Sequence, residues 1–196
     1  MDELAWHEIS RNQNGVFSAA QVRHAGGSVS SVQRAARRGE LERVARGVYQ
    51  LPTLADDDMF NAQLHRKQMV YSHDTALFLH ELCDRDPLAY TVTVPAGYNT
   101  KRLKDAGFTV FSLNRDLYGQ DVVEVKTLHG RLVRAYSAER TVCDCLRSRS
   151  RLETEIVLEG VKRYAKKRDR KLGELMVIAE KFGVAKLLRT YMEVLL

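Results

Sequence analysis

Residues 17–39 read FSAAQVRHAGGSVSSVQRAARRG, and they decide the fold of the N-terminal part of the chain. Ser18 and Gln21 have the spacing of a capping box, in which each side chain binds the backbone N–H of the other residue. Phe17 and Val22 flank this pair and can close a hydrophobic staple across the first turn. The stretch therefore predicts a helix that begins directly after Ser18.

A second short helix is predicted after the first. The glycine pair at 26–27 stops the first helix after Ala25. The next helix is predicted to begin after Ser30 or Ser31, since serine is a good N-cap residue, and to end at Gly39. Two short helices joined by a glycine-containing turn are typical of a helix-turn-helix.

The second helix has two chemically different faces. At about 100° per residue, one face carries small apolar side chains, namely Val32, Ala35 and Ala36. The opposite arc carries polar and cationic side chains, namely Gln33, Arg34, Arg37 and Arg38. In a major groove, arginine can bind guanine O6 and N7 and glutamine can bind adenine N6 and N7, while other arginines bind phosphates. We therefore interpret this helix as a DNA-recognition helix, with Ser31 near its start as a further contact.

A β-hairpin is predicted directly after this helix. Residues 41–44 and 48–51 are rich in strand-forming side chains and flank a turn whose middle residue is Arg46. A hairpin in this position makes the domain a winged helix-turn-helix, in which Arg43 and Arg46 meet the DNA backbone or the minor groove. The alternative is a small helical domain whose basic face is only solvated.

The composition of the whole chain agrees with a nucleic-acid partner and excludes other classes. The 196 residues carry 31 Lys and Arg against 25 Asp and Glu, a net charge of +6, and 44% of them are apolar. That apolar share excludes a wholly disordered chain, and no apolar run reaches the roughly 18 residues needed to span a membrane. The acidic N-terminus argues against secretion, and the three cysteines lack a zinc or redox spacing, so we expect a reducing, cytoplasmic environment.

The rest of the chain is predicted to form a second, mixed domain. Runs of β-branched and aromatic residues predict strands at 90–95, 108–113 and 122–128. A helix is predicted over 72–83, and from residue 137 onward the apolar spacing is helical. We therefore predict an α+β (mixed α/β) chain with a winged helix-turn-helix over 1–54. The domain over 55–196 is predicted to have a small sheet and a helical C-terminal half.

One motif in the second domain permits a catalytic interpretation. Glu124 and Lys126 form an E-x-K on a predicted strand, and some nucleases hold a metal ion and position a lysine in this way. The outward side of a strand is polar by default, so solvent exposure explains the pair equally well. Nucleotide-binding, hydrolase and zinc-protease motifs are missing from the sequence. We therefore expect no enzyme activity, catalytic residue, metal or cofactor, with a winged-helix-targeted metal-dependent nuclease as the alternative.

A second basic cluster lies in the C-terminal half. Five cations are predicted to share one arc of a helix, namely Lys162, Arg163, Lys166, Lys167 and Arg170. The other side of that helix is apolar. Such a face suits phosphates or an acidic protein surface, although a merely solvated face has the same pattern. We treat the cluster as an auxiliary candidate site.

Several segments of the sequence resemble those of the AbiEi family. GVFSAAQ at 15–21 and VQRAARRGELERVARGVY at 32–49 are similar to its winged-helix domain. SHDTAL at 72–77, YTVTVP at 90–95 and YSAERTVCD at 136–144 resemble its second domain. The resemblance implies an antitoxin and transcriptional autorepressor of a bacterial type IV toxin-antitoxin system, which acts in abortive infection and phage defence. It also implies a cognate nucleotidyltransferase toxin as functional partner, counteracted by the second domain, with the basic cluster as a candidate for neutralisation or additional DNA binding.

The residues and the resemblance together predict a repressor that binds double-stranded promoter DNA. Two half-sites of an inverted repeat normally call for two copies of the protein, so we expect a dimer on the DNA. A third interpretation is an antitoxin that acts only by protein contact. In that case, substituting Arg37 and Arg38 leaves promoter occupancy unchanged.

Overall fold

The structure is a computed structural model that describes residues 4–12, 15–52, 57–64 and 66–195. Contacts among these residues define two compact units. The first comprises the described residues up to Lys67 together with Thr127–Arg131, and the second comprises Gln68–Lys126 and the described residues from Leu132 onward. The domain boundary predicted between residues 54 and 55 lies outside the described residues.

The first unit is a helix-turn-helix followed by a two-stranded wing. Its elements are α1 (Leu4–Asn12), β1 (Val16–Ser18), α2 (Ala19–His24), α3 (Val29–Arg37), β2 (Glu42–Ala45), β3 (Val48–Gln50) and α4 (Asp58–Leu64). The strands form an antiparallel sheet in the order β1-β3-β2. The predicted helix pair is α2 and α3, and the predicted hairpin is β2 and β3. These elements confirm the winged-helix architecture expected from the sequence.

The ends of α2 follow from local side-chain chemistry, as predicted. Ser18 Oγ accepts a hydrogen bond from the Gln21 N–H at 3.2 Å, and Gln21 Oε1 accepts one from the Ser18 N–H at 2.7 Å. At the other end, Gly26 adopts a φ of 79° and the Gly27 N–H donates to the Val22 carbonyl. This geometry is a Schellman motif, which a residue without a Cβ accommodates without strain.

The start of α3 differs from the prediction. The N-cap is Ser28, whose Oγ accepts a hydrogen bond from the Ser30 N–H at 3.2 Å, so α3 begins before Ser30 and Ser31. All three serines can cap a helix, and tertiary packing decides among them. With Ser28 as the cap, both Ser31 and Val32 turn into the interior of the unit.

The core of the first unit holds the inner face of α3 in place. Its buried members come from five elements and the segment before β2, namely Trp6, Phe17, Val22, Val32, Ala35, Leu41 and Tyr49. The rings of Trp6 and Tyr49 each stack on Phe17, with centroids 6.1 and 6.3 Å away. Because Val32 and Ala35 are completely buried, the opposite side of α3 faces solvent.

The second unit contains a five-stranded mixed sheet and a helical C-terminal half. Up to the sheet's last strand the elements are β4 (Val70–Tyr71), α5 (His73–Leu79), β5 (Thr91–Pro95), α6 (Lys101–Asp105), β6 (Thr109–Leu113), α7 (Arg115–Tyr118), β7 (Val122–Lys126) and β8 (Leu132–Tyr136). The helical half contains α8 (Ala138–Arg147), a 3₁₀ turn (Arg149–Arg151), α9 (Thr154–Lys166), α10 (Leu172–Lys181) and α11 (Ala185–Leu195). The strand order is β6-β5-β4-β8-β7, with β4–β8 and β5–β6 parallel.

The three predicted strands correspond to β5, β6 and β7, whereas β4 and β8 were not predicted. β4 has only two residues, and β8 has Arg134 at its centre, so neither has the continuous apolar run of a central strand. Both become central through pairing with each other and with distant segments. A local sequence pattern does not show which distant segments a strand will pair with, so β4 and β8 could not be predicted in this way.

The helical half packs around α8. Cys143 and Cys145 are buried there as free thiols. Burial raises the pKa of the Cys143 thiol to about 12, so this group stays protonated at neutral pH. Gly183, with a φ of 69°, separates α10 from α11.

His73 is a buried histidine that makes the stability of the second unit depend on pH. Its ring nitrogens lie 2.9 Å from Ser72 Oγ and 3.1 Å from Ser148 Oγ, and the ring stacks on Phe111. Burial lowers the pKa of His73 to about 3, with a further contribution from nearby arginines such as Arg147. The ring is therefore neutral in the folded chain at any pH above this value.

Lowering the pH from 7 to 5 should remove about 2 kcal/mol of stability through His73. The unfolded chain binds a proton below a pKa of 6.5 and the folded chain does not until about 3, so this stability is lost as pH falls through that window. Urea unfolding at both pH values measures the change. Asn tolerates the φ of 53° at this position, so His73→Asn should lose this component.

Comparing the two proteins isolates the histidine contribution, because burial raises the pKa values of Asp74 and Asp144 and these groups act with the opposite sign. An equal pH dependence in both proteins would contradict the assignment.

Candidate nucleic-acid interface

The exposed face of α3 carries the side chains that the sequence predicted for base contacts. Gln33, Arg34 and Arg37 are all exposed, and they lie opposite the buried Val32 and Ala35. Within the described part of the chain, neither the Arg34 nor the Arg37 guanidinium forms an ion pair. Both arginines therefore have all their donors available to an external acceptor.

Ser30 joins this face and Ser31 does not, which corrects the predicted site. Ser31 is fully buried and its Oγ donates to the Ser28 carbonyl at 2.6 Å, so it is not on the exposed surface. Ser30 is exposed in the first turn of α3. Counting from Ser30, Gln33, Arg34 and Arg37 stand at the i+3, i+4 and i+7 positions, which form one stripe of a helix. A prediction with α3 starting after Ser28 would have placed Ser30 on this exposed face.

We call Ser30, Gln33, Arg34 and Arg37 the α3 stripe.

Arg38 is exposed but differs from the arginines of the α3 stripe because it has an internal acidic partner. Its Nε lies 2.7 Å from Glu40 Oε1 and its Nη2 lies 3.0 Å from Glu40 Oε2, a bidentate ion pair. The pair forms where Gly39 reverses the chain in a Schellman motif at the end of α3. A contact of Arg38 with DNA requires this pair to open or to be shared, so we rank it below Arg34 and Arg37.

The wing presents the other two predicted arginines. Arg46 is exposed at the turn between β2 and β3, next to Gly47 with a φ of 74°. Arg43 is exposed on β2, and its Nε donates to the Ala45 carbonyl at 3.3 Å, beside an irregularity in the strand pairing. The terminal nitrogens of Arg43 form no hydrogen bond or ion pair with another described residue. The hairpin thus displays two cations on one short element.

The predicted basic cluster of the C-terminal half is not a single helical face. α9 ends at Lys166, and Lys167 takes an extended backbone conformation, so Lys167 and Arg170 lie beyond the helix. The helical prediction failed here because Lys171 N–H donates to the hydroxyl of the buried Tyr164. An N–H that is bound in this way is not available for the helical bond to the carbonyl four residues earlier.

The charges of this cluster are also partly neutralised. Arg163 binds both carboxylate oxygens of Asp84 and lies 2.7 Å from Glu159, and Lys167 lies 3.5 Å from Asp169. Arg170 donates to a backbone carbonyl at 2.9 Å. Lys162 and Lys166 stay exposed on α9. Of the five cations, these two are the ones that lie exposed on the helix without an ion pair to another described residue.

Glu124 and Lys126 lie exposed on β7, at one edge of the five-stranded sheet. Among the residues that the structure describes, no group of three or more His, Cys, Asp or Glu side chains is placed to hold a metal ion. The exposed placement of Glu124 and Lys126 fits the polar outward side of a strand, which the sequence also allowed.

The helix-turn-helix, its wing and the arginine-bearing surface define a winged-helix domain of the DNA-binding class. Residues 8–52 match the family described as "Transcriptional regulator, AbiEi antitoxin". The resemblance stated from the sequence is thus confirmed for the segment that contains the helix-turn-helix and the wing. The match supports a role as a transcriptional regulator and antitoxin.

The fold of the chain is similar to that of a solved structure, the RV2827C protein from Mycobacterium tuberculosis. The two share 12% sequence identity with a TM-score of 0.51, over 95% of this chain and 78% of the other. At this identity the similarity concerns the fold alone. No curated protein matches the sequence. Over the described residues, no helix has the length and apolar character to cross a membrane.

Proposed function

We propose that this protein is the antitoxin and autorepressor of a type IV toxin-antitoxin system, which binds inverted repeats in its own promoter. The observation that carries the proposal is the α3 stripe. It places two arginines without internal ion pairs beside a glutamine on a helix whose other side is buried, inside the family-matched segment. This combination suits the reading of base edges in a major groove.

The two groups of arginines have different tasks in this proposal. Arg34, Arg37 and Gln33 contact base edges, because the N-terminal and central residues of a recognition helix enter the major groove. Arg43 and Arg46 contact phosphates or the minor groove, because a wing lies beside the recognition helix. The phosphate contacts orient the protein, and the base contacts select the sequence.

Counteraction of the toxin is assigned in this proposal to the second unit. The partner is a cognate nucleotidyltransferase toxin, and the biological setting is abortive infection as a defence against phage in the bacterial cytoplasm. Lys162 and Lys166 are the exposed cations of α9 that remain candidates for neutralisation or for additional phosphate contacts. We propose that the chain performs both tasks by binding, without catalysis and without a cofactor.

Fluorescence anisotropy with the promoter upstream of the gene tests the DNA-binding part of this proposal. The chain should bind that duplex about a thousand-fold or more tightly than a shuffled duplex of equal length at the same salt concentration. Equal affinity for both duplexes would contradict operator recognition. Co-expression with the proposed nucleotidyltransferase toxin tests neutralisation, with restored growth as the expected result.

Replacing Arg46 with alanine should weaken binding to the promoter duplex and to the shuffled duplex by similar factors. The reason is that a phosphate contact carries no sequence information. It should also reduce the slope of log K against log salt concentration by about one unit. A titration at several salt concentrations measures both effects.

Lys101→Ala is the control for Arg46→Ala, since Lys101 is an exposed cation in the second unit. The wing assignment fails if Arg46→Ala leaves the salt slope unchanged, or if it weakens binding to the promoter alone.

A further inference from the structure

Strand β7 lies at an edge of the five-stranded sheet and, among the described residues, pairs only with β8. It has no proline, no glycine and no register shift. Glu124 and Lys126 are exposed on it, and Val123 is an apolar side chain with 38% exposure. Regular edge strands with β-branched residues can pair with a strand of another chain.

The hydrogen bonds at the two ends of the β7–β8 ladder show which backbone groups of β7 point outward. Thr127 N–H donates to the Arg131 carbonyl, and Ser137 N–H donates to the Asp121 carbonyl. Hydrogen-bonded and non-hydrogen-bonded pairs alternate along an antiparallel ladder. Between Asp121 and Thr127, the backbone groups of the odd-numbered residues therefore point toward β8. The N–H and C=O groups of Val122, Glu124 and Lys126 therefore point away from the sheet.

The outward positions of β7 are complementary to a second copy of the same strand. An antiparallel pair related by a two-fold axis at Val125 places Glu124 opposite Lys126 of the other copy, and Lys126 opposite its Glu124. Both members of each such pair direct their backbone groups outward, so each pair can exchange two hydrogen bonds. Opposite charges at directly opposed positions stabilise antiparallel strands.

Other registers are less favourable. An axis at Glu124 sets two carboxylates opposite each other, and like charges in that position destabilise the pair. An axis that lies between two neighbouring residues pairs an even-numbered residue with an odd-numbered residue of the other copy. The backbone groups of the odd-numbered residue are already bonded to β8, so the pair cannot exchange two hydrogen bonds. An axis at Val123 opposes Glu124 to Val122 and leaves the charge unmatched. The register at Val125 alone matches both charges and hydrogen bonds.

We propose that β7 is a self-association strand, through which two copies of this chain pair in antiparallel register about Val125. The charges of Glu124 and Lys126 in the E-x-K pattern then specify the register of this contact. The small extent of the contact predicts a weak dimer that forms most readily when two copies are close together. Two copies bound at the half-sites of an inverted repeat meet that condition. The use of the contact on DNA therefore rests on the proposed function.

Cysteine cross-linking of the full chain without DNA tests the register directly. At the axis, the two Val125 residues form a non-hydrogen-bonded pair with Cα atoms about 4.5 Å apart, within reach of a disulfide. Val125→Cys should give a covalent dimer on a non-reducing gel after mild oxidation. The native Cys83, Cys143 and Cys145 are buried and should not compete.

Val123→Cys is the matched control, because the two Val123 side chains lie about 14 Å apart in this register. Equal cross-linking of both variants would indicate random collision, and failure of Val125→Cys to cross-link would overturn the register. Circular dichroism of the reduced proteins verifies that both variants are folded.

A charge exchange in the Val125→Cys protein tests the ion pairs. Glu124→Lys or Lys126→Glu alone should reduce cross-linking by about tenfold, because each opposes like charges twice in the dimer. The double variant should restore it. Glu124 also lies opposite Arg134 within the chain, and the double variant does not repair that pair, so rescue reports on contact between copies.

An absence of rescue would contradict the proposal whatever the DNA measurements show. Conversely, a cross-linking dimer that binds no promoter would contradict the proposed function and leave the self-association strand intact.

Discussion

Arg34→Ala together with Arg37→Ala should weaken operator binding by about 2–6 kcal/mol, since each base-contacting arginine contributes about 1–3 kcal/mol. That loss corresponds to an increase in Kd of roughly thirty-fold to twenty-thousand-fold. Both side chains are exposed and neither is neutralised by another described residue, so each can offer its full charge to DNA. Anisotropy with promoter and shuffled duplexes should show a much larger loss for the promoter.

Arg38→Ala provides the matched control for this double variant. Arg38 adjoins Arg37 in sequence, but its guanidinium is bound to Glu40 through two hydrogen bonds. Its removal should cost less affinity than the loss of either free arginine. The alternative interpretation, an antitoxin that acts only by protein contact, predicts that promoter affinity is unchanged in all of these variants. Unchanged promoter affinity in the double variant would therefore remove the recognition role of α3.

Single substitutions in the α3 stripe should separate base reading from charge. Lysine keeps the positive charge of arginine but cannot form the bidentate contact with guanine. If Arg34 reads a guanine, Arg34→Lys should lose discrimination at one base position and retain most of the affinity for shuffled DNA.

Arg140→Ala should destabilise the second unit by about 3–5 kcal/mol, because it leaves a buried acid without its cation. The Arg140 side chain is 0% exposed, and its Nε lies 2.9 Å from Asp144 Oδ2. The guanidinium also lies 4.3 and 4.0 Å from the ring centroids of Tyr136 and Phe182. Burial already raises the pKa of Asp144 even with Arg140 present.

Urea unfolding followed by far-UV circular dichroism measures this loss, since the single tryptophan, Trp6, lies in the first unit. Arg163→Ala is the control, because Arg163 binds two acids, Asp84 and Glu159, at the surface of the protein. Exposed ion pairs contribute little, so this variant should be close to neutral. Equal losses in the two variants would show that burial of Arg140 is not the source of its effect.

Replacing both members of the buried pair should recover part of the stability. Arg140→Met with Asp144→Leu removes the two charges together, and well-packed apolar residues can replace a buried ion pair without loss. A double variant that is as unstable as Arg140→Ala would assign the effect to lost packing around Tyr136 and Phe182.

The sequence predicted the elements whose determinants are local. The Ser18–Gln21 capping box, the glycines that end α2 and α3, and the Arg46–Gly47 turn each act over a few residues. For the same reason the arc of α3 was predicted correctly for Gln33, Arg34 and Arg37. Periodicity depends on helix geometry alone, and these residues lie within one uninterrupted helix.

The errors arose where several local solutions were equivalent. Ser28, Ser30 and Ser31 are all acceptable N-caps, and burial of Ser31 and Val32 selects Ser28. Beyond Lys166 no glycine or proline interrupts the sequence until Gly173, so a longer helix was a reasonable prediction. Instead, the Tyr164 hydroxyl, which donates to the distant Glu139, accepts the Lys171 N–H that a longer helix would use.

Sequence alone determined which side chains this protein can offer to DNA, because residue type and helical period together specify a cationic arc. Tertiary structure alone decided which of those cations are free. Arg38 and Arg163 meet carboxylates that lie two to seventy-nine residues away, whereas Arg34 and Arg37 meet none among the described residues. Pairing of charges depends on distances in space, and these exist only once the chain has folded.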